Sequence, residues 1–66
     1  MISYRPFFET LMKSDITMYD LTKHYKVAGS TLQKLRDNEN MNLSTIDRLC
    51  RIFHCKISDI VEVIET

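Results

Sequence analysis

Residues 29–36 combine hydrogen-bonding and basic side chains in a spacing that suits the reading of nucleic-acid bases. The polar members of this segment are Ser30, Gln33, Lys34 and Arg36. Leu32 and Leu35 are spaced as apolar residues on one side of a helix are, so the polar residues fall on the other side. A glutamine can donate to and accept from adenine, and a lysine can donate to O6 and N7 of guanine. The segment therefore predicts a helix whose outer face enters the major groove of DNA.

A second short helix is predicted directly before this one, over residues 18–24. Thr17 and Asp20 resemble a capping box at its start, with aspartate in place of the usual glutamate or glutamine. The apolar positions of residues 17–36, which include both helices and the turn between them, are Leu21, Val27, Leu32 and Leu35. Their spacing locks two crossing helices together, so residues 17–36 are predicted to form a helix-turn-helix.

One further helix is predicted before this pair and another after it. Pro6 suits the first turn of a helix over residues 5–13, where a missing N–H costs nothing. Its apolar stripe is Phe7, Phe8, Leu11 and Met12. A helix over residues 45–53 follows Ser44, which together with Asp47 resembles another capping box. Its apolar stripe is Ile46, Leu49, Cys50 and Phe53.

A fifth helix is predicted over residues 59–64. Ser58 suits its cap, and Asp59 is favourable in a first turn. The apolar pattern repeats at Ile57, Ile60, Val61 and Ile64. Val61 and Val63 are β-branched, so a short strand is the alternative for this tail. Five short helices with brief connections predict an all-α bundle.

The composition fits one small domain over residues 1–66. Hydrophobic residues make up 44% of the chain, and there is one glycine and one proline. That is enough for a single core, with no low-complexity linker. The longest apolar runs are two residues, so no membrane-spanning helix or signal peptide is predicted. A cytoplasmic location is expected.

Charge is balanced over the chain but unevenly distributed. The formal net charge is zero, whereas DNA-binding proteins are usually basic. Residues 22–36 contain four bases and no acid, and residues 57–66 contain three acids and no base. This polarity allows one positive face to approach phosphates, although an ordinary solvated surface is the alternative reading.

The sequence contains no recognisable catalytic or metal-binding arrangement. Cys50 and Cys55 are expected to be reduced thiols, with Cys50 on the apolar side of a helix. A metal site would use both cysteines and His54, but a fourth ligand and a C-x-x-C spacing are missing. There is no nucleophile–base pair, carboxylate dyad or phosphate-binding glycine loop. No enzymatic activity, cofactor or small-molecule substrate is expected.

The order of these elements resembles the Cro/phage-repressor-like (XRE-type) helix-turn-helix family, in its compact single-domain branch. Two stretches carry the resemblance, residues 30–35 (STLQKL) and residues 55–62 (CKISDIVE). The similarity spans residues 16–61, and almost the whole chain when the first helix is included. It implies a five-helix lambda-repressor-like domain that binds operator sites in double-stranded DNA. It further implies a transcriptional regulator, most simply a repressor, encoded by a bacterium, a phage or a mobile element.

The resemblance also assigns roles to individual residues. The implied base-reading residues are Gly29, Ser30, Gln33 and Lys34. The implied phosphate contacts are Thr17, Tyr19, Thr31, Arg36, Asn38, Asn40, Asn42 and Thr45. Helix N-termini and small polar groups satisfy phosphate oxygens without adding charge, so a neutral protein could bind DNA with a shallow salt dependence. A homodimer on an inverted repeat is expected, and the apolar candidates for its contact are Val61, Val63 and Ile64.

Some positions depart from the family pattern. Lys26 stands where a turn glycine is usual, and it is strained if the backbone there is left-handed. Ala28 replaces the usual serine cap and is expected to pack inward, which leaves Gly29 to cap the helix. Either Asn38 or Asn40 is expected to be left-handed. Tyr4, Tyr19 and Tyr25 are expected to be half-buried, with their hydroxyl groups in water.

A different class of function remains open on the same fold. The chain would then be a protein-interaction module, such as an antitoxin-like, anti-repressor or inhibitor protein, whose third helix does not read DNA. The zero net charge and the missing side chain at Gly29 favour this alternative.

Overall fold

The computed structural model describes residues 1–65 as four α-helices, one 3₁₀ helix and a two-stranded sheet. In chain order the elements are β1 (Ile2–Ser3), α1 (Arg5–Lys13), α2 (Met18–Lys23), α3 (Gly29–Asp37), α4 (Leu43–Phe53), the 3₁₀ helix (Ile57–Asp59) and β2 (Glu62–Val63). The first three helices match their predicted ranges to within one residue, and α4 begins two residues before its predicted start. Among residues 1–65, no helix has the length and apolar character needed to cross a membrane.

One apolar core holds the helices together. Its buried members are Tyr4, Phe7, Leu21, Val27, Leu32, Leu35, Ile46, Leu49 and Ile60. The ring of Phe7 packs edge-on against Phe8 and Phe53, with centroids 5.0 and 5.8 Å away. All four apolar positions predicted for the α2–α3 pair belong to this core, so the packing that holds α3 against α2 is confirmed. Met12, by contrast, is 85% exposed, so its predicted place in the stripe of α1 is wrong.

The two predicted capping boxes have different outcomes. At α2 the box is confirmed: the Asp20 N–H donates to Thr17 Oγ1 at 3.1 Å, and the Thr17 N–H donates to Asp20 Oδ2 at 3.0 Å. At α4 it is wrong, because the helix already begins at Leu43. The carboxylate of Asp47 instead accepts from Arg51 Nε, one turn later, at 2.9 Å.

The predicted fifth helix, residues 59–64, is wrong, and the strand alternative is correct. The chain forms a 3₁₀ turn at Ile57–Asp59 and then a strand, β2, that pairs antiparallel with β1. The register places Ile2 opposite Val63 and Ser3 opposite Glu62. β-Branched residues such as Val63 favour the strand once a partner is present. The fold of residues 1–65 is therefore mainly helical, as predicted, but it has four α-helices and a small sheet where an all-α bundle of five helices was expected.

The turn before this strand is also held differently from the expectation. Ser58 does not cap it; Asp59 Oδ2 accepts the Lys56 N–H at 3.1 Å. Ile60 is fully buried, and its carbonyl accepts the Phe7 N–H at 3.1 Å. The tail is thereby fixed to α1. The Ile64 N–H donates to the Met1 carbonyl at 2.8 Å and not to Ile60, so the chain does not continue as a helix after Ile60.

Left-handed residues follow three of the helices. Lys26 lies after α2 with φ 57°, Asn38 after α3 with φ 55°, and His54 after α4 with φ 54°. The left-handed backbone expected at Lys26 is present, and of the two asparagines considered it is Asn38 that adopts it. An asparagine accepts this conformation more easily than a lysine does, so the strain falls mainly on the turn before α3.

Candidate nucleic-acid interface

The outer face of α3 is polar and open to solvent. The four residues predicted to read bases are all exposed: Gly29, Ser30, Gln33 and Lys34. Directly beneath them, Leu32 is 5% exposed and Leu35 is fully buried. The buried leucines anchor the helix to the core, so the polar face keeps a fixed direction relative to the rest of the domain.

Gln33 is not entirely free on this face. Its Nε2 donates to Asp37 Oδ2, one turn further along α3, at 3.0 Å. The amide oxygen and the second N–H of Gln33 remain available, which is one acceptor and one donor. A glutamine binds adenine with one acceptor and one donor of this kind, but here both lie beside the carboxylate of Asp37.

The start of α3 lacks a side-chain cap. Ala28 occupies the cap position and is exposed, so its predicted inward packing is wrong, as is the predicted capping by Gly29. Gly29 is instead the first residue of the helix, and a Cβ added there would meet no atom within 4 Å. The first-turn N–H groups of a helix have no partner one turn earlier within it. In α3 the Thr31 N–H donates to the Ala28 carbonyl at 3.0 Å, so the N–H groups of Gly29 and Ser30 are the ones left at an exposed end that can accept an external anion.

Several predicted phosphate contacts meet beside this face. A small polar depression of about 90 Å³ is lined by Thr31, Lys34, Asn40, Met41, Asn42 and Thr45. It joins α3 to the start of α4, where Asn42 occupies the cap position without a side-chain cap hydrogen bond. The depression therefore combines one cation, two amides and two hydroxyls at an uncapped helix N-terminus, which is a suitable set of donors for a phosphate.

The remaining predicted phosphate contacts lie outside this depression. Thr17 caps α2, although its hydroxyl can still donate, and the neighbouring Tyr19 is 64% exposed. Arg36 is exposed on α3. Asn38 is partly committed within the domain, because its Oδ1 accepts the Tyr4 N–H at 2.9 Å. Its side-chain N–H groups remain available to donate to a phosphate.

Three polar residues that lie close to the start of α3 were not among the DNA contacts expected from the sequence. Lys26, Ser44 and Arg48 line a depression of about 260 Å³, together with Thr31 and Thr45 of the polar depression. Arg48 also donates from Nη2 to the carbonyl of Tyr25, which ties α4 to the turn between α2 and α3. Ser44 and Arg48 stand four residues apart on α4, away from its apolar stripe. That spacing was the available signal for a second polar face.

Tyr4 also differs from its expectation. It is 2% exposed rather than half-buried, and its hydroxyl donates to the Glu39 carbonyl at 2.6 Å. Burial raises the pKa of this phenol. The hydroxyl is therefore a protonated donor inside the domain, and Tyr4 holds the loop that follows α3. Tyr19 and Tyr25 are the exposed tyrosines, at 64% and 39%.

The two cysteines lie at the end of α4, away from these residues. Both are partly buried against the core, as expected for Cys50, and the Cys55 N–H donates to the Cys50 carbonyl at 3.0 Å. Burial raises the pKa of the Cys55 thiol to about 11, and it also raises the pKa of Cys50. Within residues 1–65, no three side chains of histidine, cysteine, aspartate or glutamate are grouped so that they could hold a metal ion.

The three apolar candidates for a dimer contact are not equivalent. Val61 packs against the core, whereas Val63 is 76% exposed and Ile64 is 38% exposed. Met1 is also 76% exposed, and its carbonyl accepts the Ile64 N–H at 2.8 Å. Val63, Ile64 and Met1 thus place apolar surface on and beside the small sheet.

Comparison with known proteins assigns the chain to a family. The model of the Cro/C1-type helix-turn-helix DNA-binding domain matches residues 9–66. A crystal structure of the transcriptional regulator VanUg is similar, with a TM-score of 0.86 and 29% sequence identity over 98% of this chain and 87% of that one. No curated protein matches. The residues matched include all of α2, α3 and α4, and the chain belongs to the family of Cro/C1-type helix-turn-helix DNA-binding domains.

Proposed function

We propose that this protein binds specific sequences in double-stranded DNA and regulates transcription, with α3 in the major groove. The observation that carries the proposal is the exposed polar face of α3 above buried Leu32 and Leu35, in a chain of this family. Ser30, Gln33 and Lys34 would contact base edges. Gly29 would allow the backbone to approach closely, since it adds no side chain.

Phosphate binding would surround this central contact. The polar depression beside α3 supplies Thr31, Lys34, Asn40, Asn42 and Thr45, while Thr17, Tyr19, Arg36 and Asn38 extend the surface on other sides. Most of these groups are neutral donors. Because the salt dependence of binding follows the number of phosphates neutralised by cations, we expect a shallower slope than for a basic repressor.

We further propose that two copies bind an inverted repeat. One small domain contacts only part of a site, and two recognition helices about 34 Å apart fit successive major grooves. Val63 and Ile64 supply the exposed apolar surface for the contact, with Val61 behind them. Sedimentation velocity at high concentration, with and without DNA, tests this. Only monomer in both conditions would contradict it.

Regulation would most simply be repression in the cytoplasm of a bacterium, by a host-encoded or phage-encoded protein. A DNA-bound dimer blocks access to a promoter through occupancy alone, whereas activation needs a further contact with the transcription machinery. The similarity to VanUg, a transcriptional regulator, supports the regulatory role.

Selection of bound duplexes from a random pool tests sequence-specific binding directly. The unaltered protein should enrich an inverted repeat, and Gln33→Ala/Lys34→Ala should lose or change it, because each good base contact contributes about 1–3 kcal/mol of discrimination. Lys13→Ala is the matched control for the lost charge, since Lys13 is an exposed residue of α1 that lines a separate depression. Equal enrichment by the double variant would contradict base reading by α3.

A protein-interaction module is the second candidate function. It is favoured by the zero net charge and by Asp37, whose carboxylate binds Gln33 on the face that would approach DNA. Under this alternative, the unaltered protein enriches no duplex above the double variant. The exposed face of α3 would then be the surface on which to search for a protein partner.

A further inference from the structure

Tyr4 precedes the segment that matches the family model, yet it binds the end of α3. The match covers residues 9–66, whereas Tyr4 lies between β1 and α1. Its ring is 2% exposed. Its N–H donates to Asn38 Oδ1 at 2.9 Å, and its hydroxyl donates to the Glu39 carbonyl at 2.6 Å. One residue of the N-terminal segment therefore makes two hydrogen bonds to the two residues that follow α3.

Those two residues also close the last turn of α3. Asn38 is left-handed, and its N–H donates to the Lys34 carbonyl. The Glu39 N–H donates to the same carbonyl at 3.0 Å. This is the bonding of a left-handed helix end, in which the last carbonyls are satisfied by the residues just beyond the helix. Tyr4 thus reaches Lys34, a proposed base-reading residue, through a single intervening residue.

We propose that Tyr4 is a positioning residue for DNA binding, which fixes the direction in which α3 presents Gln33 and Lys34. This inference rests on the proposed function. Binding groups must be held to within about half an ångström by neighbours whose own conformations are locked. Tyr4 meets that condition, because its ring is buried and both of its hydrogen-bond donors are used. If the hydroxyl bond were purely structural, its loss would change the stability of the domain but not its preference for the selected duplex over a random one.

Tyr4→Phe separates the two roles, since it keeps the ring and removes the bond to Glu39. The affinity for the selected duplex should fall about threefold to tenfold, the range expected for one hydrogen bond. The affinity for a random duplex should change little, because phosphate contacts depend less on the direction of α3. Tyr25→Phe is the matched control. Its ring is 39% exposed, and it should bind both duplexes as the unaltered protein does.

Amide hydrogen exchange on the unaltered protein provides a second test that needs no variant. We call the two hydrogen bonds from Tyr4 to Asn38 and Glu39 the clamp. Coupling between two sites is reciprocal, so a clamp that favours DNA binding must itself be stabilised when DNA binds. Exchange at the N–H groups of Tyr4 and Glu39 should slow on addition of the selected duplex. It should slow more than exchange at Phe7, which lies in the same N-terminal part of the chain as Tyr4 but whose N–H donates to the Ile60 carbonyl.

The results distinguish failure of the clamp from failure of the proposed function. If folded Tyr4→Phe binds the selected duplex as tightly as the unaltered protein does, the clamp is wrong and DNA binding stands. If the variant does not fold, the exchange experiment on the unaltered protein decides. Exchange at Tyr4 and Glu39 that does not slow when DNA binds would then show that the clamp is wrong. If the unaltered protein selects no duplex at all, both proposals are wrong.

Discussion

The two ends of α3 are held by different means. At the C-terminal end, left-handed Asn38 closes the helix, and Tyr4 binds both Asn38 and Glu39 from a buried position. At the N-terminal end, Lys26 is left-handed without the freedom of glycine, and Ala28 supplies no cap. The backbone hydrogen-bonding groups of α3 are therefore better satisfied at its C-terminal end, which is the end further from Gly29 and Ser30, the first of the proposed base-reading residues.

This difference concerns the stability of the free domain. Leu35 and Tyr4 anchor the C-terminal end in the core, whereas Gly29 and Ser30 at the other end remain exposed. Uncapped first-turn N–H groups cost stability in the free domain but are available to a phosphate. The comparison predicts that substitutions at the C-terminal end change stability most, and that the N-terminal end can still be improved.

The largest effect is expected for Tyr4→Ala. This substitution removes the packing of a buried ring and the hydroxyl bond to the Glu39 carbonyl after α3. It should therefore lower the free energy of unfolding by about 3–5 kcal/mol. Urea denaturation followed by circular dichroism measures the loss. Tyr25→Ala, at a 39% exposed position, is the control and should cost far less. Similar losses from both substitutions would contradict the anchoring role of Tyr4.

A smaller gain is expected from Ala28→Ser. The backbone of Ala28 is already extended, as it is at the capping residue Thr17, so a serine there can accept a first-turn N–H. The free energy of unfolding should rise by about 1 kcal/mol. Thr17→Ala, which removes the existing cap of α2, should lower it by about the same amount. If Ala28→Ser gains nothing in urea denaturation, the start of α3 is satisfied in another way.

Glycine should have opposite effects at the two ends. Lys26→Gly relieves a left-handed lysine and should raise the free energy of unfolding by at most about 1 kcal/mol, because glycine also gains freedom in the unfolded chain. Asn38→Gly keeps the left-handed backbone but deletes the acceptor of the Tyr4 N–H, so it should lower stability. The shift of the urea midpoint for each variant gives the sign. A gain at both positions would show that the Tyr4–Asn38 bond contributes little.

The smallest effect is a pH dependence at the C-terminal end. Burial raises the pKa of Tyr4 above its ordinary value of 10.0, so the folded state holds this proton more tightly than the unfolded state does. The resulting stability is fully present below pH 10 and is lost as the pH rises through the pKa of the folded state. Above pH 10 the unaltered protein should therefore lose stability more steeply than Tyr4→Phe. Parallel pH profiles would show that Tyr4 does not titrate differently in the two states.

Local patterns in the sequence predict the parts of the fold that local forces determine. The helix-turn-helix follows from the spacing of Leu21, Val27, Leu32 and Leu35, and the start of α2 follows from its capping box. The tail was mispredicted because β2 pairs with Ile2–Ser3, at the other end of the chain. No pattern within residues 59–64 reveals that partner.

The same limit applies to the candidate interface. The polar face of α3 is a local periodicity and could be predicted from the sequence. The clamp by Tyr4 on Asn38 and the bond from Arg48 to the Tyr25 carbonyl depend on contacts between distant segments. Arg48 was visible only as a polar residue away from the apolar stripe of α4, which did not indicate its partner.

A titration of the isotopically labelled protein with the selected duplex, followed by its backbone amide resonances, tests the central claim most directly. If α3 reads DNA, the largest changes should fall on residues 29–34, with further changes at residues 40–45, where the polar depression lies. Thr10, Lys13 and Cys55, which line a separate depression, should change little. Changes concentrated at those three residues, with α3 unaffected, would contradict the account.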